Sequence, residues 1–315
     1  MPEPRIHLVG QAVRQVSIEP RVRSPSVRVL VAALRPRQWT KNGLLFVALA
    51  FTLNLQQPLL LLRTIAAFAC FCMLSSAGYL LNDILDVEAD RAHPTKRLRP
   101  IAAGQLRVDV ASGMVVVLSL GGLAGTVAIN LLLGLLALAY LLSTAVYSTT
   151  LKHIVLLDIF GIAGGFVLRA AAGAVAIDVP ISPWLYIATL LGALLIALGK
   201  RRTELETLGV EVAVGQRRNL ESYSVEFIDQ LILVISSAAL MTYALYTFSA
   251  ENLPRNHSMM LTIPIVMYGL FRYLFVVREG DVGGAPEDLL LRDRPLLAAV
   301  VVWALLAVTL LYLGR

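Results

Sequence analysis

Cysteine is nearly absent from this sequence: there are two, Cys70 and Cys72, both inside an apolar run. Two thiols cannot hold a metal alone, so they read as small packing residues. Residues 1–41 are basic and dotted with proline, but lack an apolar core and a small-residue cleavage site. No signal peptide is expected there; 1–33 should be a flexible basic cytoplasmic tail. No polar stretch is long enough to fold as a soluble domain of its own, and no internal repeat stands out. Charge is sparse too, with Asp, Glu, Lys and Arg making up 15% of 315 residues.

What fills the chain is apolar. Hydrophobic residues reach 57%, where soluble domains sit at roughly 45–50%, and the mean hydropathy is +0.74. Apolar runs of spanning length lie near 43–58, 60–81, 109–128, 131–147, 154–176, 183–199, 231–250, 258–277 and 296–313. The sequence thus predicts an all-α membrane protein, a bundle of nine transmembrane helices forming a single domain over 34–315. The first run is the weakest, because Asn54, Gln56, Gln57 and Pro58 interrupt it. Of the 27 Lys and Arg residues, 22 fall in the N-terminal segment or in alternate connections. By the positive-inside rule the N-terminus is cytoplasmic and the C-terminus outside. The positive excess is accounted for by this topology, and no nucleic-acid partner is expected. The long connections, at 82–108, 200–230 and 278–295, share the cytoplasmic side, where the chemistry should sit.

The stretch Asn82-Asp83-Ile84-Leu85-Asp86-Val87-Glu88-Ala89-Asp90 follows an apolar run directly. On a helix, Asp83, Asp86 and Asp90 share one face over two turns. Three like charges repel there, and hard oxygen ligands in a row suit Mg²⁺ shared with a substrate phosphate; a solvated helix end is the plain alternative. Thr95-Lys96-Arg97-Leu98-Arg99-Pro100 adds three cations close by, and His93 reads as a loop-positioning hydrogen bond. Arg37, Lys41 and Asn42, around Trp39, either anchor the chain at the headgroups or reach a phosphate-bearing substrate. Tyr147 and Lys152 end the fourth run and Asp158 opens the fifth, where Asp158 and Arg169 fall on one face. An arginine inside a membrane helix is costly and faces a cavity or a partner. Lys200, Arg201 and Arg202, with Glu204, follow the sixth run as a phosphate clamp or as topology anchors. Asn219–Tyr223 and Ala285–Arg294 are further polar islands, and Glu287 with Asp288 should begin a short surface helix.

These residues resemble the UbiA superfamily of membrane prenyltransferases, on the aspartate-rich motif from Asn82 to Asp90 at the end of the second helix. The likeness narrows to the phosphoribosyl branch of arabinan-making bacteria. It rests on Arg35–Asn42, Asp86–Gly104, Gly199–Arg201 with Glu204 and Leu205, Leu220–Tyr223, and Pro286–Asp288 with Leu291–Arg294. Ordinary members carry a second aspartate-rich motif after the sixth helix; here that place holds Lys200, Arg201 and Arg202 instead. The resemblance implies Mg²⁺-dependent transfer of 5-phosphoribosyl from phosphoribosyl pyrophosphate to a polyprenyl phosphate, releasing pyrophosphate, at the cytoplasmic face of a bacterial inner membrane. It implies that Asn82, Asp83, Asp86 and Asp90 hold the metal, that Lys152 and Asp158 shape the pocket, and that Lys200, Arg201 and Arg202 grip the 5-phosphate. Arg37, Lys41, Asn42, Lys96, Arg97, Tyr147, Arg169 and Glu204 complete the expected substrate contacts. Self-association into a homo-oligomer is left open. The alternatives are a conventional prenyl transfer from a polyprenyl diphosphate to an aromatic acceptor, a flippase of phosphorylated lipids, and a membrane scaffold without chemistry. The acidic phosphate-binding loop of soluble phosphoribosyltransferases is missing, so the donor assignment rests on the resemblance.

Overall fold

In the computed structural model, residues 25–216, 222–250, 253–254, 256–278 and 292–313 are described, and among them there is no strand. Ser26 opens α1 (Val27–Leu34), its side chain accepting from the Val29 N–H. The apolar face of α1 packs Val29, Leu30, Ala33 and Leu34 against Leu80, Ile101 and Leu106. The bundle therefore begins before residue 34, and the tail expected over 1–33 is shortened; residues 1–24 lie outside the described set.

The first apolar run is not one long helix. A 3₁₀ segment, Pro36–Leu44, leads into α2 (Leu45–Phe51), and the chain then turns before α3 (Pro58–Leu85). The Asn54 amide donates to Thr52 and the Gln57 amide to Asn54, closing that turn, and Pro58 starts α3 at a position that needs no N–H. The run at 43–58 therefore ends seven residues early. Short α4 (Val87–Ala92) follows α3, then α5 (Val108–Ile129), α6 (Leu131–Thr149) and α7 (Leu157–Ala176). The rest are α8 (Pro183–Gln216), α9 (Val225–Ser249), α10 (Ile263–Arg278) and α11 (Arg294–Leu313). Among the described residues, eight helices are long and apolar enough to cross a membrane. The chain is a multi-pass membrane protein.

Successive long helices are neighbours, from α3 on α5 through α8 on α9, and α3 also meets α6 and α7. α7 is the axis: twelve of its twenty residues are buried. One face joins Phe71, Leu74, Leu133, Ala137 and Tyr140, while the other joins Leu194, Leu198, Ile228 and Tyr273. At Gly173, α7 touches the backbone of α2: a Cβ would overlap the Leu45 carbonyl and stand 2.7 Å from Leu45 Cα. α8 is 34 residues long, about 51 Å at 1.5 Å per residue, so it overshoots a hydrocarbon core of about 30 Å.

Candidate active site

The acidic stretch does not form one continuous helical face. α3 stops at Leu85, Asp86 is its cap, and α4 restarts at Val87. This break turns Asp83 and Asp90 inward, 2% and 3% exposed, while 31% of the Asp86 side chain remains accessible. Mutual repulsion is relieved because each carboxylate is paired with a cation, Arg99 serving both Asp83 and Asp90. Asp83 Oδ1 accepts from Arg35 Nη2 at 2.5 Å and from Arg99 Nη1 at 3.1 Å. The same Arg99 nitrogen donates to Asp90 Oδ2 at 2.6 Å. Lys152 Nζ donates to Asp86 Oδ1 at 2.6 Å, and the Asn82 amide donates to Asp86 Oδ2 at 3.0 Å. Lys152 is itself 6% exposed.

Arg35 is held in the left-handed region, φ 53°, where α1 ends and the 3₁₀ segment begins. That conformation is uncommon for arginine and is sustained by its contacts with Asp83 and the Tyr79 ring, 5.3 Å away. A quarter of the Arg35 and Arg99 side chains, 24% each, remains exposed. Arg99 is one of the three cations that the sequence sets near the carboxylates, but neither it nor Arg35 is among the expected metal or substrate contacts. The signal was the Arg-Pro pairs at 35–36 and 99–100, but nothing in the sequence says which carboxylate an arginine will meet.

Among the described residues, no group of three His, Cys, Asp or Glu side chains could hold a metal. The expectation that Asn82, Asp83, Asp86 and Asp90 form one metal set is thus narrowed. The donors fit a Mg²⁺ ion that takes one carboxylate, Asp86, with Asn82 beside it and its other places filled by water and phosphate oxygens. They do not fit a cage of three carboxylates.

A second ionic centre follows along the chain. Asp158, fully buried, accepts from Arg201 Nε at 2.7 Å and from the Tyr223 hydroxyl at 2.8 Å. Tyr223 in turn accepts from the Leu156 N–H at 2.8 Å, and burial pushes its hydroxyl well above the ordinary tyrosine range, so it stays protonated. Arg201 also pairs with Glu204 and is fully buried; its Nη2 has no hydrogen-bond partner among the described residues. Tyr147 lies against Gly161 of α7. The Asp158–Tyr223 bond gives a role to a residue that sequence reading only quoted.

Several expected contacts fall elsewhere. Consecutive helical residues diverge by about 100°, so Lys200, Arg201 and Arg202 do not make one clamp. Arg202 donates to Asp229 at 2.7 Å, to Glu206 at 2.6 Å and to the Val277 carbonyl at 3.0 Å, which ties α8 to α9 and α10. Lys200, the residue before them in α8, is half-buried. Arg169 does not meet Asp158. It bonds the Asn42 side-chain oxygen at 2.7 Å, the Tyr140 hydroxyl at 2.6 Å and the Gly165 carbonyl at 3.0 Å. Asn42 is fully buried and also donates to Ser75 and Cys72, so both residues brace the bundle. Trp39 donates to Ser76 inside the bundle, which its expected headgroup role did not foresee. His93 does position its loop, its Nδ1 accepting from the Thr95 and Lys96 N–H groups. Arg37 and Arg97 are exposed, and Lys96 is half-buried. Asn219–Glu221, Glu287 and Asp288 lie outside the described residues.

An apolar cavity of about 1100 Å³ lies between the 36–51 segment, α7, α8, α9 and α11. Lys41 and Thr40 stand on its wall, and Lys41 is the one charged lining residue among those described.

The family model described as the UbiA prenyltransferase family matches residues 43–284. Decaprenyl-phosphate phosphoribosyltransferase of Mycobacterium tuberculosis is 35% identical over 278 residues, 87% of this chain and 91% of that protein. The protein of the same name from Corynebacterium glutamicum is 35% identical over 293 residues, 90% of this chain and 87% of its own. Among solved structures, a UbiA homologue from Archaeoglobus fulgidus bound to GPP and Mg²⁺ superposes with a TM-score of 0.69 at 18% identity, covering 91% of this chain and 99% of that one. The chain belongs to the UbiA prenyltransferase family.

Proposed function

We propose that this protein is a phosphoribosyltransferase that moves 5-phosphoribosyl from phosphoribosyl pyrophosphate to a polyprenyl phosphate of the decaprenyl type, releasing pyrophosphate. The names and coverage of the relatives support that reading. In the structure, one observation carries it: a single 3₁₀ segment, capped by Arg35, links the ionic centre to the wall of the apolar cavity. Arg35 at its start holds Asp83, and Lys41, six residues on, stands on the cavity wall. A lipid phosphate seated at Lys41 would have its tail in the cavity and its oxygens beside the charged groups.

The residues then divide the work. Asp83 and Asp90 aim Arg35 and Arg99, whose remaining donors suit pyrophosphate oxygens. Asp86 and Asn82 would hold Mg²⁺, and Lys152 keeps Asp86 in place. When bound, the ion supplies neutralisation of charge on the leaving pyrophosphate. Arg201, held by Asp158 and Glu204, keeps one buried nitrogen, Nη2, unmatched among the described residues, and a sugar phosphate brought against it would supply the missing acceptor, with Lys200 next to it in sequence. Arg37, Lys96 and Arg97 contribute field at the rim. The acceptor phosphate is already ionised near neutral pH, so positioning and electrostatics suffice without a strong general base. The reaction face is cytoplasmic, in a bacterial inner membrane, and the catalytic domain runs from α1 to the C-terminus.

The test is transfer of label from phosphoribosyl pyrophosphate into lipid by purified protein in detergent with Mg²⁺ and polyprenyl phosphate. Transfer that disappears with EDTA and with Asp86→Asn supports the reading. Activity only on a polyprenyl diphosphate with an aromatic acceptor would replace it by conventional prenyl transfer.

A further inference from the structure

The wall of the apolar cavity changes character along its length. On α8 it runs from Ile196 to Trp184, about 18 Å at 1.5 Å per residue. Toward the end away from Lys41 it is built of five aromatic rings: Phe51, Trp184, Tyr243, Tyr246 and Trp303. Four of them close a circuit. Ring centroids lie 6.4 Å apart from Phe51 to Trp303, 6.4 Å from Trp303 to Tyr243, 6.2 Å from Tyr243 to Tyr246 and 6.4 Å from Tyr246 back to Phe51. Trp184 joins at Tyr246, also at 6.4 Å.

A directed hydrogen-bond chain fixes the circuit. Trp303 Nε1 donates to the Tyr243 hydroxyl at 2.7 Å, and the Thr262 hydroxyl donates to the Met259 carbonyl at 2.6 Å. Thr262 has one hydroxyl hydrogen, so across the 2.5 Å contact Tyr243 is the donor and Thr262 the acceptor. The rings come from α2, α8, α9 and α11, and the chain ties two of them to the 3₁₀ turn Ser258–Thr262. Large rings locked in this way make a firm boundary, whereas aliphatic side chains on the rest of the wall can change rotamer.

We propose that this aromatic circuit is the length stop of the acceptor site. Building on the phosphoribosyl-transfer reading, a polyprenyl tail enters beside Lys41, fills the cavity toward Phe51 and Trp184, and is turned aside by the rings once the cavity is full. Tail length improves affinity up to that point and not beyond it, because further isoprene units remain in lipid either way.

Of the three tryptophans, Trp303 lies in the circuit and Trp184 joins it at Tyr246, while Trp39 is bonded to Ser76. Tryptophan emission therefore reports contact with the stop, independently of turnover. A ladder of polyprenyl phosphates from two to ten isoprene units is titrated into the purified full chain. The expected result is affinity rising about tenfold or more along the short members and then levelling, with the emission change beginning at the length where affinity levels. Trp303→Ala moves the levelling point to longer tails. Tyr243→Phe keeps the ring but cuts the hydrogen bonds, and moves it the same way by less; it carries the test if Trp303→Ala does not fold. An identical length profile in the variants, or an emission change already complete with the shortest tail, overturns the proposal. Absence of phosphoribosyl transfer by wild type would sink the reading of the reaction, while a length-dependent emission change would leave the stop standing.

Discussion

Asp83 Oδ1 receives two guanidiniums at once, from an arginine 48 residues before it and another 16 residues after it. Removing this carboxylate leaves Arg35 without its carboxylate partner and Arg99 with Asp90 alone. Because a quarter of each arginine is in water, the stability cost falls below that of a fully buried pair, at about 1–3 kcal/mol. We predict that Asp83→Ala lowers the thermal midpoint in detergent and cuts transfer by about a hundredfold or more, whereas Asp109→Ala, which breaks an exposed pair with Arg107, leaves both close to wild type. Tyr223→Phe removes the bond to Asp158 and the acceptor of the Leu156 N–H, and should cost about 1–3 kcal/mol. It should also change the pH response. Tyr223 keeps its proton in the fold beyond its ordinary value near 10, which the unfolded chain does not, so its contribution is whole below that pH and is lost as pH rises past it. Thermal unfolding at roughly pH 9 and pH 11 should fall less between the two in Tyr223→Phe than in wild type.

At the scale of elements, α2 crosses α7 closely where Gly173 meets the Leu45 backbone. A backbone carbonyl cannot swing aside, so Gly173→Ala must push α2 outward, at about 1–3 kcal/mol. That shift moves Lys41 as well, and acceptor KM should rise more than donor KM in steady-state assays. The long helices were legible because an apolar run of spanning length has few other meanings: α3, α5, α6 and α11 all fall within a few residues of the runs that predict them. The interruption at Asp86 was not legible, since Asn82–Asp90 reads as continuous helix and the break depends on which cations reach each carboxylate. The same holds for Arg169, whose partner Asn42 lies 127 residues away. The divergence of Arg201 and Arg202 was within reach of sequence reasoning, because helix geometry alone sends neighbours in different directions. The 3₁₀ segment could be anticipated only as a weak first span.

On the scale of the whole molecule, the ionic centres built on Arg35, Lys152 and Arg201 lie on connections that the topology puts on one side, and the cavity is lined from Lys41 to the opposite connection at Val179–Ser182. If that side faces the cytoplasm, single cysteines in a background lacking Cys70 and Cys72 will separate by side. A cysteine at exposed Leu98 should react with an impermeant maleimide only in inverted vesicles, and one at Asp178 only in right-side-out ones. The fold was predictable from hydropathy and the family from the Asn82–Asp90 motif, but the wall of the cavity was not: Lys41, Trp184 and Trp303 converge only once the helices are packed. The central claim is that the transferred group is the phosphorylated sugar. Mass spectrometry of the lipid product from purified protein, Mg²⁺, phosphoribosyl pyrophosphate and decaprenyl phosphate tests it most directly. A lipid heavier than the acceptor by one phosphoribosyl group, formed together with free pyrophosphate, is the predicted result; unchanged decaprenyl phosphate, with prenylated acceptor appearing only when a polyprenyl diphosphate is supplied, would contradict it.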